Sequence, residues 1–267
     1  MLVKRSLGST GLAVSILGLG TVKLGRREGV KYPSSFELPD DKQAKTLIAL
    51  ARERGINLID TAPAYGSSES RLGTLLQGQR QHWIICSKVG EEFESGQSRF
   101  DFSPEHTRFS VDRSLKRLKT DVIDIVLVHS NGDDLDIINR HGTLDALAEL
   151  KQLGKIRAFG MSTKSVEGGR LAALKSDVVM ACWNLQHQDE IPVIDDCHAL
   201  GKGVLIKKAL ASGHLSPGLN TDPVAATFNM IFAHPGVSSV VIGTIDPTHL
   251  LANIDRAQAA ALACDSS

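Results

Sequence analysis

Residues 56–73 read I-N-L-I-D-T-A-P-A-Y-G-S-S-E-S-R-L-G. Ile56, Leu58 and Ile59 make an apolar run too short for a helix and typical of a buried parallel strand. The run ends on Asp60, and Pro63 and Gly66 then bracket a loop that carries Tyr65. Ser67 is placed to cap a following helix whose Leu72, Leu75 and Leu76 share one face. An acid and a phenol therefore stand where a strand hands over to a helix. In α/β folds, ligands bind and chemistry happens at that carboxyl end of the strands.

The same alternation continues along the chain. Short apolar runs at 14–19, 56–59, 83–86, 122–128, 156–159, 178–182, 204–206 and 239–242 are the expected strands. Segments with helical start signals lie between them. Pro39-Asp40 opens one with Ala44, Leu47, Ile48 and Ala51 on one face and Gly55 as its stop. Ser103-Pro104 opens another, and Asp246-Pro247 a third, each with a capping side chain before a proline at the first helical position. Eight strand-plus-helix units without a Gly/Ser-rich linker predict an α/β fold, a single (β/α)8 TIM barrel over residues 1–267, a type whose usual size is about 250 residues. Gly8 and Gly11 flank a turn that predicts a short N-terminal β-hairpin before the first barrel strand, suited to plugging the lower end. The rival, an open doubly wound sheet, usually carries a glycine fingerprint after its first strand. Here G-L-G-T-V-K at 18–23 lacks the third glycine and opens no helix.

Composition narrows the function. The 267 residues are 42% hydrophobic, and thirty basic residues balance thirty acidic ones. No global field recruits nucleic acid or an anionic membrane. Cys86, Cys182, Cys197 and Cys264 form no CxxC pair and no metal-ligand spacing among themselves, as expected of reduced thiols without metal. The N-terminus has no long apolar core and no run is long enough to span a bilayer, so a cytoplasmic location is expected.

Three further strand ends carry polar groups. Ser87-Lys88 follows the run at 83–86, with Ile84, Cys86 and Lys88 on one side. His129-Ser130-Asn131 follows 122–128, and Gly160-Met161-Ser162-Thr163 follows 156–159. On one barrel rim, Asp60, Tyr65, Lys88 and His129 would converge. Singly, each has a structural alternative: an ion pair for Asp60 and Lys88, a loop aromatic for Tyr65, a core imidazole for His129. Together they suggest chemistry. A tyrosine with a pKa of about 10 is a poor proton donor at neutral pH. A neighbouring ammonium favours its phenolate and lowers that pKa, while a carboxylate keeps the ammonium charged. Such a tyrosine can protonate a carbonyl oxygen while a neutral histidine orients it. None of these groups supplies a hydride, so a nicotinamide cofactor is implied.

N-L-I-D-T-A-P-A-Y-G-S-S-E, S-K-V-G and V-L-V-H-S together resemble the aldo-keto reductase superfamily. Further matches are L-G-S-T-G-L-A-V-S-I-L-G-L-G-T near the start, G-M-S-T after the fifth run and V-V-I-G-T-I-D-P-T-H-L-L-A-N-I near the end. The resemblance implies Tyr65 as general acid, Asp60 and Lys88 tuning it, and His129 binding the carbonyl. It implies NADP(H), less often NAD(H), laid across the carboxyl face without a Rossmann domain. Gly20, Thr21 and Val22 match the segment beside the nicotinamide, and Ser162 matches a carboxamide ligand. Thr163 stands where the family has Asn, Met180 where it has Gln, and Lys207 where it has a stacking aromatic. The Lys207 stem can cover the ring, or its charge can meet a phosphate. Gly243, Thr244, Asp246, His249 and Asn253 fall in the adenosine-phosphate segment. Asp246 is either an anion-site residue or, by N-cap preference, a plain helix cap, and His249 is the only nearby cation.

For the substrate, residues 21–27, Trp83 and 130–134 lie in or near candidate lining loops, although Trp83 has the opposite strand parity from Lys88. The chain stops soon after its last helix, so an open site with broad selectivity toward a small carbonyl or alcohol is expected. Two alternatives remain: a cofactor-binding, redox-sensing regulatory protein with little turnover, and a barrel aldolase with Lys88 as Schiff base.

Overall fold

The computed structural model describes residues 1–30, 32–214 and 222–265. Twelve strands occur among them: β1 Lys4–Ser6, β2 Ala13–Ser15, β3 Leu17–Gly20, β4 Leu58–Asp60, β5 Ile84–Val89, β6 Glu91–Glu94, β7 Gln97–Phe100, β8 Ile123–His129, β9 Ile156–Ser162, β10 Val178–Cys182, β11 Gly203–Lys207 and β12 Ser239–Ile242. The helices are α1 Val22–Gly25, α2 Asp41–Glu53, α3 Ser68–Leu75, α4 Pro104–Leu118, α5 Asp134–Arg140, α6 Thr143–Gln152, α7 Val166–Lys175, α8 Ile191–Ala199, α9 Pro223–Phe232 and α10 Pro247–Asp265. Strands β3, β4, β5, β8, β9, β10, β11 and β12 close into a parallel barrel, with β12 pairing back onto β3. Helices alternate with the barrel strands, as in a (β/α)8 barrel. No helix among the described residues is long and apolar enough to cross a membrane.

The helix starts follow their local chemistry. Asp40 and Gln43 form a reciprocal capping box at α2, whose buried residues are Ala44, Leu47, Ile48 and Ala51. Ser103 accepts from the His106 N–H at α4, with Pro104 in the first turn. Ser67 takes the N-cap position of α3 but makes no capping bond, contrary to the expectation from its sequence position. It is the next residue, Ser68, whose hydroxyl is buried and bonded.

The run at 14–19 is two strands rather than one. Ala13–Ser15 pairs antiparallel with β1, while Leu17–Gly20 enters the barrel. Ile16 is the hinge, donating to Val3 O and accepting from the Val240 N–H. The hairpin plugs the lower end as expected. Leu7, Leu12 and Val14 join an inner core with Leu58, Cys86, Ile125, Leu127, Ala158, Val178, Met180 and Leu205. That membership identifies which strand parity points inward. Trp83 packs instead in the outer layer between barrel and helices.

Several strands run past their apolar runs: β5 to Val89, β8 to His129 and β9 to Ser162. Ladder bonds are made by the backbone and do not need apolar side chains, so polar residues at a rim hide the true strand end. Among the described residues the four cysteines are free thiols, with Cys86, Cys182 and Cys197 buried.

Candidate active site

The inward parity decides what reaches the barrel mouth. Continuing from the inner core, the last inward positions are Asp60 on β4, Lys88 on β5, His129 on β8, Ser162 on β9, Cys182 on β10 and Lys207 on β11. Register supports one layer, since His129 pairs with Ser162 and Cys182 with Lys207. On β3 the corresponding position is Gly20, and beyond β12 it is Gly243. Neither contributes a side chain, and a Cβ at Gly243 would first meet the Tyr32 hydroxyl at 3.1 Å.

Lys88 is 2% exposed, and its Nζ donates to Asp60 Oδ1 at 2.6 Å and to Thr61 O at 2.9 Å. It also lies 4.7 Å from the Tyr65 ring centroid. Burial, the largest single influence, would lower the Lys88 pKa, but Asp60, Tyr65 and Cys86 together outweigh it and hold the ammonium charged above its ordinary range. Tyr65 meets His129 edge-on, with ring centroids 6.2 Å apart. The structure thus brings all four expected residues together. One expectation is corrected. Lys88 does pull the Tyr65 pKa down, but desolvation is larger and the net shift is upward. Tyr65 therefore keeps its proton throughout neutral pH.

The loop holding Tyr65 is pinned from beneath. Thr21 Oγ1 donates to Asp60 O at 2.8 Å and lies 2.8 Å from Ser68 Oγ, which in turn is 3.0 Å from Thr61 Oγ1. Thr21 is fully buried, and its side chain braces Asp60. Gly25 presses against the same loop: a Cβ there would lie 2.2 Å from Ser68 N and 2.3 Å from Tyr65 O. Gly66, at φ +60°, would collide with Gly25 O in the same way. Gly25→Ala is expected to displace the Tyr65 loop, cost about 1–3 kcal/mol of stability and lower kcat. Chemical denaturation and steady-state kinetics check both effects.

Glu91, which the sequence pattern did not single out, faces the imidazole, and Arg26 of the 21–27 loop joins it to the Tyr65 loop. Glu91 opens β6, and its Oε2 lies 2.7 Å from His129 Nδ1, although not aligned for a ring N–H hydrogen bond. Burial would raise the Glu91 pKa, but His129, Ser98 and Arg26 bring it down to about 2. Arg26 stacks on Phe93 with its guanidinium 3.3 Å from the ring centroid and donates to Ala64 O at 3.0 Å, tying the β6–β7 hairpin to the Tyr65 loop. Burial lowers the His129 pKa despite Glu91. A nitrogen lone pair on Nδ1 would face a carboxylate, so neutral His129 carries its proton there and leaves Nε2 as an acceptor.

A cavity of ≈ 580 Å³ opens beside this layer, lined by His129, Ser162, Lys164, Cys182, Glu190 and Lys207 among others. Lys207 Nζ donates to Ser162 Oγ at 2.9 Å and to Thr163 O. Burial drops its pKa to about 8. Thr163 is fully buried and its Oγ1 has no hydrogen-bond partner among the described residues. Met180 sits in the inner core, 2% exposed, one layer below the rim, so it offers packing and no polar contact. Asp246 caps α10, accepting from Thr248 N at 2.7 Å and His249 N at 3.2 Å. That favours the cap over an anion-site role. His249 is exposed, 3.9 Å from Asp246. Val22 and Asn253 are partly exposed and Thr244 is buried, all near the β12–β3 side of the rim.

Of the expected substrate-lining residues, Trp83 lies at the opposite end of the barrel. It lines a depression of ≈ 660 Å³ with Arg80, Asp124 and Arg157, whose guanidinium groups are both committed to Asp124. Ser130 and Asp134 are buried, and Asp134 Oδ2 accepts from Lys164 N, Ser165 N and Ser165 Oγ. They brace the rim.

Residues 16–230 match the model of the aldo/keto reductase family. The chain belongs to that family of oxidoreductases, whose members use nicotinamide cofactors, generally NADP(H). It is 57% identical to a Pseudomonas aeruginosa protein of known crystal structure, provisionally named an aldo-keto reductase, with a TM-score of 0.88 over 97% of this chain and 95% of that one. The holo form of aldo-keto reductase AKR11C1 from Bacillus halodurans superposes with a TM-score of 0.80 at 25% identity, covering 99% and 96% of the two chains. The uncharacterized oxidoreductase YqkF of Bacillus subtilis is 28% identical over 96% of this chain and 91% of its own. L-galactose dehydrogenase of Arabidopsis thaliana is 39% identical, but the match covers 59% of this chain and 47% of that enzyme.

Proposed function

We propose that this chain, as a single barrel domain in the cytoplasm, reduces a small aldehyde or ketone to an alcohol, or runs the reverse oxidation of an alcohol or sugar. NADP(H) is favoured and NAD(H) is the alternative cofactor. The observation that carries the proposal is the buried Asp60–Lys88 pair at 2.6 Å, set 4.7 Å from the Tyr65 ring that abuts His129. A dinucleotide suits the cavity beside it. Ser162 and Lys207 would hold the carboxamide side, and Lys164 and Lys208 on the cavity wall would meet phosphate. Gly20 and Gly243 leave the rim clear of side chains toward α10, where Asn253 and His249 would meet the adenosine end.

When bound, the nicotinamide supplies a hydride to the carbonyl carbon, which no side chain here can do. Tyr65 gives its proton to the carbonyl oxygen as general acid. Lys88 stabilises the phenolate this leaves, and Asp60 keeps Lys88 charged and in place. His129 fixes the oxygen. Because its neutral form presents an Nε2 lone pair, it bonds an alcohol hydroxyl when neutral and a carbonyl oxygen when protonated. The His129 pKa lies below its ordinary 6.5. Reduction should therefore gain in kcat/KM as pH falls through that value, and alcohol oxidation should lose. Glu91 raises the His129 pKa, so Glu91→Gln should move the limb to lower pH. Rate profiles in both directions check the sign.

Turnover of NADPH or NADH with a reactive aldehyde tests the proposal, alongside cofactor titration followed by tryptophan fluorescence. Saturable oxidation of either dinucleotide supports it. Tight binding without turnover against small and bulky carbonyls favours the redox-sensing alternative. The hydrogen bonds from Lys88 to Asp60 and Thr61 favour a charged ammonium and so speak against the aldolase alternative, which borohydride trapping at Lys88 would support.

A further inference from the structure

The barrel mouth holds a second group of side chains that the proposed reduction does not use. Cys182 is the last inward residue of β10. The chain then makes a tight turn in which Asn184 and His187 exchange backbone hydrogen bonds of 3.0 and 3.1 Å. It enters α8 with Glu190 at the N-cap. This turn folds an imidazole and a carboxylate back toward the thiol. The donor atoms of Cys182, His187 and Glu190 all lie within 4.8 Å of one another. His187 Nε2 is 3.8 Å from Glu190 Oε1.

Glu190 supplies an independent sign that something is meant to sit there. The residue is 3% exposed, lines the cavity, and its Oε2 has no hydrogen-bond partner among the described residues. A buried carboxylate oxygen without a donor is costly. Its α8 N-cap position does not relieve this, because the side chain makes no capping bond. Lys207 does not bond it either: its Nζ donates to Ser162 and Thr163.

We propose that Cys182, His187 and Glu190 form a site for one divalent cation of the zinc type, with its fourth position open to the cavity. Thiolate, imidazole and carboxylate are the ligand types that Zn²⁺ takes in groups of three when one position stays open. Mg²⁺ and Ca²⁺ require shells of six or more oxygens, which this corner lacks. Bonds of about 2.0–2.3 Å in a tetrahedral shell set neighbouring donors roughly 3.3–3.8 Å apart. A contraction of about an ångström therefore closes the set around an ion. The His187 side chain, 45% exposed, has room to make that movement. On binding, the Cys182 Sγ–H bond breaks, the proton leaves to solvent and an Sγ–metal bond forms. Thiolate and carboxylate then cancel the two positive charges, so the loaded site is neutral overall, one unit more positive than the empty site with its thiol and carboxylate. The sequence hides this triad because its spacing, Cys-x4-His-x2-Glu, crosses a strand end, a turn and a helix cap and contains no cysteine pair.

Titrating the metal-free chain with Co²⁺, a spectroscopic stand-in for zinc, tests the site without reference to activity. One ion per chain should bind, with a thiolate-to-cobalt charge-transfer band that Zn²⁺ displaces and excess Mg²⁺ leaves in place. Cys182→Ser should abolish the band, and Cys264→Ser should keep it. His187→Ala changes a half-exposed side chain and leaves the fold intact by circular dichroism, and it should weaken binding by at least about tenfold. Absence of stoichiometric uptake by the parent chain would overturn the proposal. So would a band that survives in Cys182→Ser, or unchanged affinity in His187→Ala.

Discussion

Tyr65→Phe is expected to lower kcat for carbonyl reduction by about 10²–10⁴-fold, the usual share of a positioned general acid. Nothing else in the site should change much. The phenylalanine ring still lies over Lys88 Nζ, 4.7 Å away in the parent, and still meets His129 edge-on. The fold, the Asp60–Lys88 pair and the cavity wall are untouched, so dinucleotide affinity should stay within about threefold, a shift of well under 1 kcal/mol. Only the proton is lost. Its loss is felt across neutral pH, because desolvation keeps Tyr65 protonated there in the parent. Steady-state kinetics with one aldehyde at fixed pH, beside a fluorescence titration of cofactor, separates the two effects.

Asp60→Ala is expected to act on both stability and rate. It leaves the Lys88 ammonium, 2% exposed, without its carboxylate partner. Breaking a buried pair by removing one partner costs about 3–5 kcal/mol. The Lys88 pKa should then fall, since Asp60 is the largest of the influences that oppose its burial, and the amine stabilises a phenolate on Tyr65 less. The double variant Asp60→Ala, Lys88→Met separates the two roles. Removing both charges relieves the desolvated ammonium, so most of the lost stability should return while the rate stays low. Recovery of both together would mean that the pair serves the fold alone. Urea denaturation and kcat/KM on the parent, single and double variants decide it.

Much of this arrangement was legible in the residues. Strand parity places Lys88 with Ile84 and Cys86, and that parity holds through the inner core to the rim. The caps at Asp40, Ser103 and Asp246 were legible because the side chain, the proline or the glutamine that completes them sits within three residues. What escaped were features settled by contacts distant in sequence. Thr21 is a residue of the matching cofactor segment, but its hydroxyl is drawn down onto Asp60 O and Ser68. Glu91 shares a site with His129 only because β6 and β7 fold back as a hairpin. The local signal was there: Ser95 and Gly96 at its tip both take positive φ, 52° and 80°, as a Ser-Gly turn allows. Tyr65 illustrates a third limit. The sequence supplies the ammonium that lowers its pKa but not the burial that raises it further.

Transfer of deuterium from a reduced nicotinamide dinucleotide deuterated at both C4 positions to an aldehyde, followed by mass spectrometry of the alcohol, tests the central claim most directly. The parent chain should place one deuterium on the former carbonyl carbon, and Tyr65→Phe should do so at least about a hundredfold more slowly. Alcohol formed without the label, or label transferred at the parental rate once the phenol is gone, would contradict it.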